Sequence, residues 1–486
     1  MMYALRAATT AKDCSKEAVK EAILELWEVF INHNNYTKAD IISVTCSATD
    51  DLNLCYPTSF IRKAGFNNIA LLDVCQLKVK DELPRCLRLL IQTKKPGENI
   101  YLREAKRLRP EWGHEECRIG SEIIKAREAL AKIKPYVPGK PIEEVKRELG
   151  LTEVIKLASN ENPYGPSKEA VKAMEEALGN ISLYPDGRSY LLKESLAQEL
   201  DLTAEEIIVG NGSDEIIKLI SETYLNPGDN IVQAKTTFSE YEFGALLMGA
   251  EVKKVPLKEF THDLTSMKAA IDPKTKLVYI CNPNNPTGTM VTKAELTAFL
   301  QDIPKGIVVI IDEAYIEYVE KDNYFDSLQL MADYPVIVLR TFSKIYGLAG
   351  LRVGYGLAKE EFICALEKTR EPFNVNLLGQ IASRAALLDH KHKEWSYANN
   401  LKVKLKFYKE CKKRNIEYIK SQTNFVLIKV NAADNFFAEL LKKGVIIRSG
   451  SSFGLSEYIR VTLGTENQMA KFWQAMDEIG FGGSKQ

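Results

Sequence analysis

Short apolar runs alternate with amphipathic, helix-length stretches through most of the chain after residue 127. The runs are EEIIVG, NIVQA, KLVYIC, GIVVIID and PVIVLRT. Because strands buried on both faces show continuous apolar runs, this pattern predicts an α/β fold with a mainly parallel sheet and helices on both faces. From about residue 376 onward, helices and the short runs NFVLIKV, GVIIRSG and YIRVTLG predict a second, smaller α/β lobe.

Residues 1–110 follow a different pattern, which predicts a separate small unit of mixed α and β structure. The segments YALRAATT, IISVTCSAT, NIALLDV and CLRLLIQT are predicted strands. An amphipathic helix is predicted from about residue 15 to about residue 32. Residues 111–127 are polar and unpatterned, so they are interpreted as the connection between this unit and the rest of the chain.

Composition excludes several classes of protein. The 486 residues contain 65 Lys plus Arg and 65 Asp plus Glu, so no net charge favours binding to nucleic acid or to an anionic membrane. We find no apolar stretch of membrane-spanning length and no signal-peptide pattern, which favours a cytoplasmic protein. The nine cysteines form no CxxC pair, so neither a metal site nor a disulfide framework is expected.

Four polar motifs follow buried strands, where open parallel sheets place their ligands. They lie at residues 210–215 (GNGSDE), 282–288 (NPNNPTG), 312–315 (DEAY) and 341–344 (TFSK). A lysine at a strand end can form a Schiff base with an aldehyde cofactor, and a neighbouring acid can pair with a pyridinium nitrogen. A glycine turn before a helix offers N–H groups to a phosphate, which Arg352, Thr341 and Ser343 would also reach.

Each of these features has an ordinary structural interpretation when it stands alone. A glycine turn before a helix is usually only a turn, a strand-end lysine is usually solvated, and Asp312 is equally suited to cap a helix. In this chain, four motifs with complementary chemistry occur together, each at the end of a buried strand. That conjunction favours a site for a phosphorylated aldehyde cofactor.

The second part of the chain resembles the fold-type I, pyridoxal-phosphate-dependent aminotransferases, and specifically the histidinol-phosphate aminotransferase family. The matching strings are PYVPGKPIEEV, LASNENPYGPS, YPDG, GNGSDE, CNPNNPTG, DEAYIEY, RTFSKIYGLAGLRVGY, NFVLIKV and YIRVTLGT. They extend from about residue 135 to about residue 465. The resemblance implies pyridoxal 5′-phosphate as cofactor and no metal.

The resemblance assigns a role to each matching residue. Lys344 would be the Schiff-base lysine and proton carrier, and Asp312 would keep the pyridine nitrogen protonated. The other cofactor contacts would be Asn285 and Tyr315 at the phenolic oxygen, Phe238 on the ring face, and Ser213, Asp214, Thr341, Ser343 and Arg352 at the phosphate. Tyr184 would reach the phosphate in a partner subunit, which implies a dimer.

Substrate contacts are implied in the same way. Arg460 would clamp the substrate α-carboxylate through a bidentate pair. The positions implied at the distal end of the substrate are Tyr136, Tyr241, Asn424 and Arg448. Arg448 is equally well explained as a strand-end surface arginine, and at the substrate it would bind either a phosphate or a second carboxylate.

In the first unit, Arg88 interrupts the otherwise apolar stretch CLRLLI, so it must be paired, bound to a ligand or exposed on a strand face. The strings LRAATT, SATDDLN, YPTSFIRKAGF, CLRLL and IYLREAKRLRPE resemble the small trimeric α/β chorismate mutases over residues 2–111. The resemblance implies that Arg88 donates to the substrate ether oxygen. It further implies substrate contacts from Arg6 and Tyr101, closure by Arg62 and Arg109, and a wall residue at Tyr56.

Three positions depart from this mutase pattern. A glutamate that accepts a bond from the substrate hydroxyl is replaced by Gln76, Asp73 stands where a cysteine is common, and Ser59 replaces a lysine. Either the carboxylate has moved to Asp73 or the mutase is weak. A regular strand points residues 73 and 76 to opposite faces, so relocation requires a bend between them.

These observations predict domains at residues 1–115 (mutase-like), 116–134 (linker and start of an arm), 135–375 (arm and large domain) and 376–486 (small domain). Three functions remain open: a bifunctional mutase and aromatic 2-oxo acid aminotransferase, a histidinol-phosphate aminotransferase with a passenger mutase, or an aminotransferase with a chorismate- or prephenate-sensing domain. The expected partners are small molecules, namely chorismate, the oxo acid and glutamate. A trimeric mutase joined to a dimeric aminotransferase predicts a hexamer of D₃ symmetry.

Overall fold

The computed structural model describes residues 2–79, 82–109, 127–133 and 141–481. The chain divides into two compact units, Met1–Lys125 and Ala126–Gln486. Residues 111–126 of the predicted connection, and Tyr136, lie outside the described residues. Within the described residues, no helix has both the length and the apolar character needed to cross a membrane.

The first unit is a five-stranded sheet with one long helix packed on it. Its elements are β1 (Tyr3–Thr10), α1 (Lys16–His33), β2 (Ile41–Ala48), α2 (Thr58–Lys63), β3 (Ala70–Cys75), β4 (Cys86–Thr93) and β5 (Ile100–Tyr101). The strand order is β3-β2-β4-β1-β5, with β2 parallel to β3 and antiparallel to β4. The predicted strands and helix of residues 1–110 are therefore present.

Helix α1 covers one face of this sheet and leaves the other face open. Its N-terminus is capped by Ser15, whose hydroxyl accepts a bond from the backbone N–H of Ala18 at 3.2 Å. Alternate residues of β4, Leu87 and Leu89, are buried in the core beneath α1. Because strand side chains alternate between faces, Arg88 points to the open face.

The second unit contains a large domain built on a seven-stranded sheet. Its elements are α4 (Lys168–Ala177), α5 (Tyr190–Leu200), β7 (Ile207–Gly210), α6 (Ser213–Tyr224), β8 (Asn230–Ala234), α7 (Glu240–Leu247), β9 (Glu251–Val255), α8 (Leu264–Ala269), β10 (Thr275–Cys281), α9 (Lys293–Gln301), β11 (Val308–Asp312), β12 (Val336–Thr341), β13 (Gly354–Leu357), α10 (Glu360–Leu366) and α11 (Leu377–Leu388). The order is β7-β13-β12-β11-β10-β8-β9, and only β13 is antiparallel to its neighbours. The sheet is thus mainly parallel, as predicted.

Both faces of this sheet are buried against helices. Val309 and Ile311 of β11 lie in one apolar core, together with residues from α5, α9 and α11. Val308 and Ile310, at the alternate positions, lie in a second core with residues from α6, α7 and α10. The continuous apolar runs in the sequence follow directly from this two-sided burial.

The smaller lobe has a separate core and a four-stranded sheet of order β14-β15-β18-β17. Its elements are α3 (Ile142–Leu149), β6 (Ile155–Lys156), α12 (His390–Lys413), β14 (Tyr418–Ile419), β15 (Phe425–Lys429), α13 (Ala433–Lys442), β16 (Val445–Ile446), β17 (Arg448–Ser449), β18 (Tyr458–Thr462) and α14 (Glu466–Glu478).

The sequence-based boundaries of this lobe need correction at both ends. Strand β6 pairs in parallel with β16, and Val145 of α3 packs against Ile446, so these early segments belong to the smaller lobe. Helix α11 packs with α4 and α5 on the large domain through Ala382 and Ala386. Apolar burial, rather than order along the chain, decides both assignments.

Candidate active sites

The N-terminus of helix α6 forms a cradle suited to a phosphate. Gly212 precedes this 12-residue helix with φ of 84°, and a Cβ there would lie 2.5 Å from Arg352 Nη2. A Cβ on Gly354 would lie 2.3 Å from the backbone nitrogen of Ser213. Glycine is therefore required at both positions for the helix N–H groups to stay accessible.

Charged and hydroxyl groups surround this cradle. Arg352 Nη2 donates to Asp214 at 2.9 Å, and its Nη1 lies 3.4 Å from Ser343 Oγ. Thr341, at the end of β12, accepts a bond from the Ser343 backbone N–H at 3.1 Å. The structure therefore brings together the predicted phosphate ligands Ser213, Asp214, Thr341, Ser343 and Arg352.

Lys344 follows β12 and points toward the same region. Its Nζ lies 3.4 Å from the backbone oxygen of Ser159 and 5.5 Å from the ring centroid of Tyr315. Burial, and after it the positive charge of Arg460, lowers the pKa of the Lys344 amine to about 8. A larger fraction of this amine is therefore neutral, and so nucleophilic, at neutral pH than in an exposed lysine.

Asp312 is the last residue of β11 and is buried. One carboxylate oxygen accepts a bond from the Ala314 backbone N–H at 3.0 Å, and the other accepts one from the Tyr241 hydroxyl at 2.6 Å. Burial raises the pKa of the carboxyl to about 6. Tyr241 is 0% exposed, so its predicted contact with the distal end of the substrate is wrong; its hydroxyl binds Asp312 instead.

Asn160 joins the large domain to the smaller lobe beside the site, and sequence reasoning gave it no role. Its side-chain amide donates to the Tyr315 hydroxyl at 2.8 Å and accepts from Thr462 Oγ1 at 2.9 Å. Its backbone oxygen accepts from Asn424 Nδ2 at 2.9 Å. The string LASNENPYGPS and the residue's φ of 59° are the signals that mark it.

Asn424 is buried beside the site. Its side chain is 0% exposed and its amide nitrogen donates to backbone, while its contact with the distal end of the substrate stays a prediction. Asn424 instead fixes the segment that carries Asn160. The Tyr315 ring lies beside Lys344, and burial raises the pKa of its phenol. Its contact with the phenolic oxygen of the cofactor stays a prediction.

Arg460 lies at the junction of the two lobes. Its Nη1 donates to Asn285 Oδ1, and its Nη2 donates to the backbone oxygen of Ala158 at 2.6 Å. Arg448 is its cross-strand partner in the β17–β18 pair. The ring centroid of Phe453 lies 5.3 Å from the Arg460 guanidinium and 5.9 Å from that of Arg448. The side chains of Arg448, Arg460 and Phe453 therefore lie close together at the edge of the site formed by the smaller lobe.

The remaining aromatic predictions have different outcomes. Phe238 packs edge-on against Tyr241, with ring centroids 5.6 Å apart, and the hydroxyl of the same tyrosine binds Asp312. Tyr184 is 83% exposed and stacks on Phe373. An exposed Tyr184 is accessible to a second copy of the chain.

A buried ion pair supports the strand ends and was missed by sequence reasoning. Arg340 Nε donates to Glu313 Oε2 at 2.8 Å, and its Nη2 donates to Asp326 at 2.9 Å. Glu313 directly follows Asp312, and Arg340 directly precedes Thr341. The pair therefore ties together the adjacent ends of β11 and β12, from which several of the predicted cofactor-binding residues project.

The chemistry of these donors fits pyridoxal 5′-phosphate. A partly buried lysine amine, a buried carboxylate and a glycine-dependent phosphate cradle occur at one end of one sheet. Among the described residues, no group of three or more His, Cys, Asp and Glu side chains is arranged to hold a metal ion.

The open face of the first unit holds a second candidate site, a cleft of about 440 Å³. Its polar side chains are Arg6, Thr45, Ser47, Arg88, Tyr101 and Arg109. Burial raises the pKa of the Tyr101 phenol, and the charges of Arg6, Arg109 and Arg88 oppose that rise. Arg88 Nε is buried with no hydrogen-bond partner among the described residues, which suits a group that binds an anionic ligand.

The other predicted mutase residues form a second group in the same unit. Tyr56 is 76% exposed and lies just before helix α2, which carries Ser59 and the exposed Arg62. Asp73 binds the start of that helix: its two oxygens accept bonds from the Thr58 N–H at 3.1 Å and the Thr58 hydroxyl at 2.5 Å.

Asp73 therefore cannot take over, within one protomer, the role of the glutamate that Gln76 replaces in the cleft. Strand β3 continues through residue 75, and Asp73 pairs in register with the core residue Cys46, whereas Val74 lines the cleft. Asp73 thus lies on the face opposite Arg88. Gln76 Nε2 donates to Glu82 Oε2 at 3.0 Å.

Fold and geometry together define a pyridoxal-phosphate-dependent aminotransferase preceded by a mutase-like domain. The family model "Aminotransferase class I and II" matches residues 152–476, and "Chorismate mutase type I" matches residues 2–112. Histidinol-phosphate aminotransferases from Moorella thermoacetica and Brevibacillus brevis are 53% and 48% identical, covering 74% and 72% of this chain and 93% and 97% of theirs. The chain belongs to the histidinol-phosphate aminotransferase family and carries a chorismate mutase type I domain.

Solved structures agree with this assignment. The histidinol-phosphate aminotransferase from Sinorhizobium meliloti in complex with pyridoxal-5′-phosphate has a TM-score of 0.69 at 26% identity. That comparison covers 74% of this chain and 98% of the other. The enzyme from Clostridium acetobutylicum has a TM-score of 0.62 at 27% identity, covering 67% and 99%.

Proposed function

We propose that the chain is a bifunctional enzyme that converts chorismate to prephenate and transfers an amino group from glutamate to an aromatic 2-oxo acid. The 2-oxo acid is prephenate, phenylpyruvate or 4-hydroxyphenylpyruvate. The observation that carries the proposal is the cleft of the first unit, where Arg6, Arg88 and Tyr101 share one sheet face. A chain that makes prephenate would supply its second site with a substrate or a near precursor of one, which is an argument from association.

The mutase reaction needs binding and charge stabilisation but no covalent chemistry. One carbon–oxygen bond breaks, one carbon–carbon bond forms, and no proton is transferred. Arg88 would donate to the ether oxygen as negative charge develops there, and Arg6 would hold a carboxylate. A fixed sheet face pre-orients both arginines, so little reorganisation is needed in the transition state.

The cleft would be completed by a neighbouring copy of the chain. Tyr56 and Arg62 lie at helix α2 together with Asp73, away from the face that carries Arg88. A neighbouring copy in a trimer would bring this helix to the cleft. Arg62 would then face the substrate from one protomer and Arg88 from the next.

Mixing two inactive variants tests this shared site. Arg62→Ala and Arg88→Ala subunits, co-expressed at equal levels, should restore about a quarter of the sites if each site uses one residue from each neighbour. Each variant alone serves as the control and should be inactive. No recovery in mixed oligomers, shown by mass spectrometry to contain both variants, would contradict the shared site.

The aminotransferase reaction uses residues of both lobes. Pyridoxal 5′-phosphate, when bound, supplies the electron sink for deprotonation at the substrate Cα. Lys344 would move that proton between the substrate Cα and the cofactor C4′, and Asp312 would keep the ring nitrogen protonated. Arg460 would bind the α-carboxylate, and Arg448 would bind a second anionic group of the substrate.

The position of Phe453 favours an aromatic substrate. Its ring lies within 6 Å of both guanidinium groups and is partly exposed. A substrate held by Arg460 would therefore extend past an aromatic surface. The names of the relatives favour a second candidate acceptor, imidazole-acetol phosphate, because Arg448 is equally suited to a phosphate.

A substrate panel decides between these functions. The holoenzyme is assayed with chorismate alone, and with glutamate plus each of prephenate, phenylpyruvate, 4-hydroxyphenylpyruvate and imidazole-acetol phosphate. We expect chorismate turnover and the highest kcat/KM with an aromatic acceptor. A preference for imidazole-acetol phosphate would instead support histidinol-phosphate aminotransferase with a passenger mutase. Chorismate or prephenate binding without turnover would support a sensing domain.

A further inference from the structure

Tyr241 connects two parts of the cofactor site. It lies in helix α7, and its hydroxyl donates to Asp312 Oδ2 at 2.6 Å. The other carboxylate oxygen, Oδ1, accepts from the backbone N–H of Ala314 at 3.0 Å. Each oxygen of the carboxylate thus has a fixed donor, and the plane of the group is set by the two bonds together.

The Tyr241 ring is held rigidly by its neighbours. It is 0% exposed and stacks on Tyr279, with centroids 4.5 Å apart and an interplanar angle of 12°. On another side, Phe238 packs against it at 5.6 Å and 79°. The hydroxyl therefore has little freedom to leave Asp312. The same tyrosine contacts both Phe238, which is expected on the face of the cofactor ring, and the carboxylate of Asp312.

The surroundings of Asp312 determine how strongly the bond from Tyr241 affects the ionisation of its carboxyl group. The pKa of its carboxyl is raised to about 6, chiefly by burial and to a smaller extent by the negative charges of Asp214 and Glu313. The bonds from Tyr241 and from the Ala314 N–H oppose this rise, so the pKa would be higher without them. The thiol of Cys281, on the adjacent strand, faces the same pair and is kept neutral because burial raises its pKa to about 12.

We propose that Tyr241 is a positioning residue, whose hydroxyl keeps Asp312 ionised so that the shared proton stays on the cofactor ring nitrogen. Without this donor, a buried carboxyl near two other acids binds the proton more tightly than before. The proton would then move from the pyridine nitrogen to Asp312, and the ring would become a poorer electron sink.

The experiment compares Tyr241→Phe with Tyr279→Phe. Both variants remove one buried hydroxyl from the same stacked pair, but Tyr279→Phe leaves the bond between Tyr241 and Asp312 in place. Each holoenzyme is reconstituted with cofactor labelled with ¹⁵N at the ring nitrogen, whose chemical shift reports whether that nitrogen is protonated. Thermal unfolding of both variants measures the structural cost.

We expect the ¹⁵N signal of Tyr241→Phe to move toward the neutral pyridine value, and kcat to fall roughly tenfold, as for one pKa unit of change. Tyr279→Phe should keep the protonated signal even if its Tm falls by as much as that of Tyr241→Phe. Tyr241→His, which retains a ring with an N–H donor, should recover part of the protonated signal. An unchanged signal in Tyr241→Phe, or equal shifts in both phenylalanine variants, would overturn the proposal.

Discussion

Removing the positive charge of Arg460 should change the pH at which Lys344 reacts with the cofactor. Burial and the Arg460 charge together lower the pKa of the lysine from 10.5 to about 8. At pH 7 a lysine of pKa 8 is about one tenth neutral, roughly 300-fold more than an ordinary lysine. Arg460→Gln removes one cause and leaves burial, so the pKa should rise and the neutral fraction at a given pH should fall.

The rate at which apoprotein binds pyridoxal 5′-phosphate, followed by visible absorbance, measures this neutral fraction. In the wild type the rate should rise with pH through an inflection near pH 8, the pKa of Lys344. In Arg460→Gln the inflection should lie roughly one unit higher, as for the loss of a nearby charge in a partly buried site. Arg448→Gln, which loses the same charge from the adjacent strand, is the matched control.

Two results would refute the reasoning. An inflection unchanged in Arg460→Gln would show that burial alone sets the pKa of Lys344. An equal upward movement in Arg448→Gln would show that the general positive potential of this end of the site is responsible, rather than Arg460. Direct titration of ¹³C-methylated Lys344 in the same variants would distinguish a pKa effect from a change in cofactor docking.

Further expectations concern the cofactor, the core, the mutase and the assembly. Borohydride should fix the cofactor on Lys344, and turnover at wild-type rate in Lys344→Ala would end that assignment. Arg340→Met should lower the free energy of unfolding by about 3–5 kcal/mol, because Glu313 is left buried and unpaired; denaturant titration measures this, and a loss below 1 kcal/mol would contradict it. Arg88→Ala should abolish chorismate turnover, and turnover close to the wild-type rate would show that Arg88 does not act in the mutase reaction. Light scattering should give about 330 kDa for six chains; a dimer of about 110 kDa with active mutase would exclude the trimeric contact.

The parts of the site that sequence could predict are those fixed by strand ends. Lys344 and Asp312 each follow an apolar run, and in a parallel sheet such runs end at a common edge, so proximity followed from pattern alone. Asn160 was part of a recognised string, but its role depends on contacts with Tyr315 and Thr462, which are 155 and 302 residues away. No local pattern encodes such contacts.

The errors also have local physical causes. The family resemblance places Tyr241 near the substrate but does not give the direction of its hydroxyl, which donates to Asp312. Within one protomer, the regular strand β3 keeps the alternation of side chains and turns Asp73 away from the face of Arg88, while a role for Asp73 in the cleft of a neighbouring copy stays a prediction. Where a physical rule and a functional expectation disagreed, the rule predicted the structure.

The bond from Arg460 Nη2 to the Ala158 carbonyl joins chain segments 302 residues apart, with most of the large domain between them. By contrast, every side chain of the first cleft is contained in residues 6–109. During synthesis from the N-terminus, all the residues that one protomer contributes to the first cleft therefore leave the ribosome long before Arg460 does. A translation arrest between these points would leave a chain that contains the whole first domain but lacks Arg460, and with it the bond that joins the two ends of the second unit.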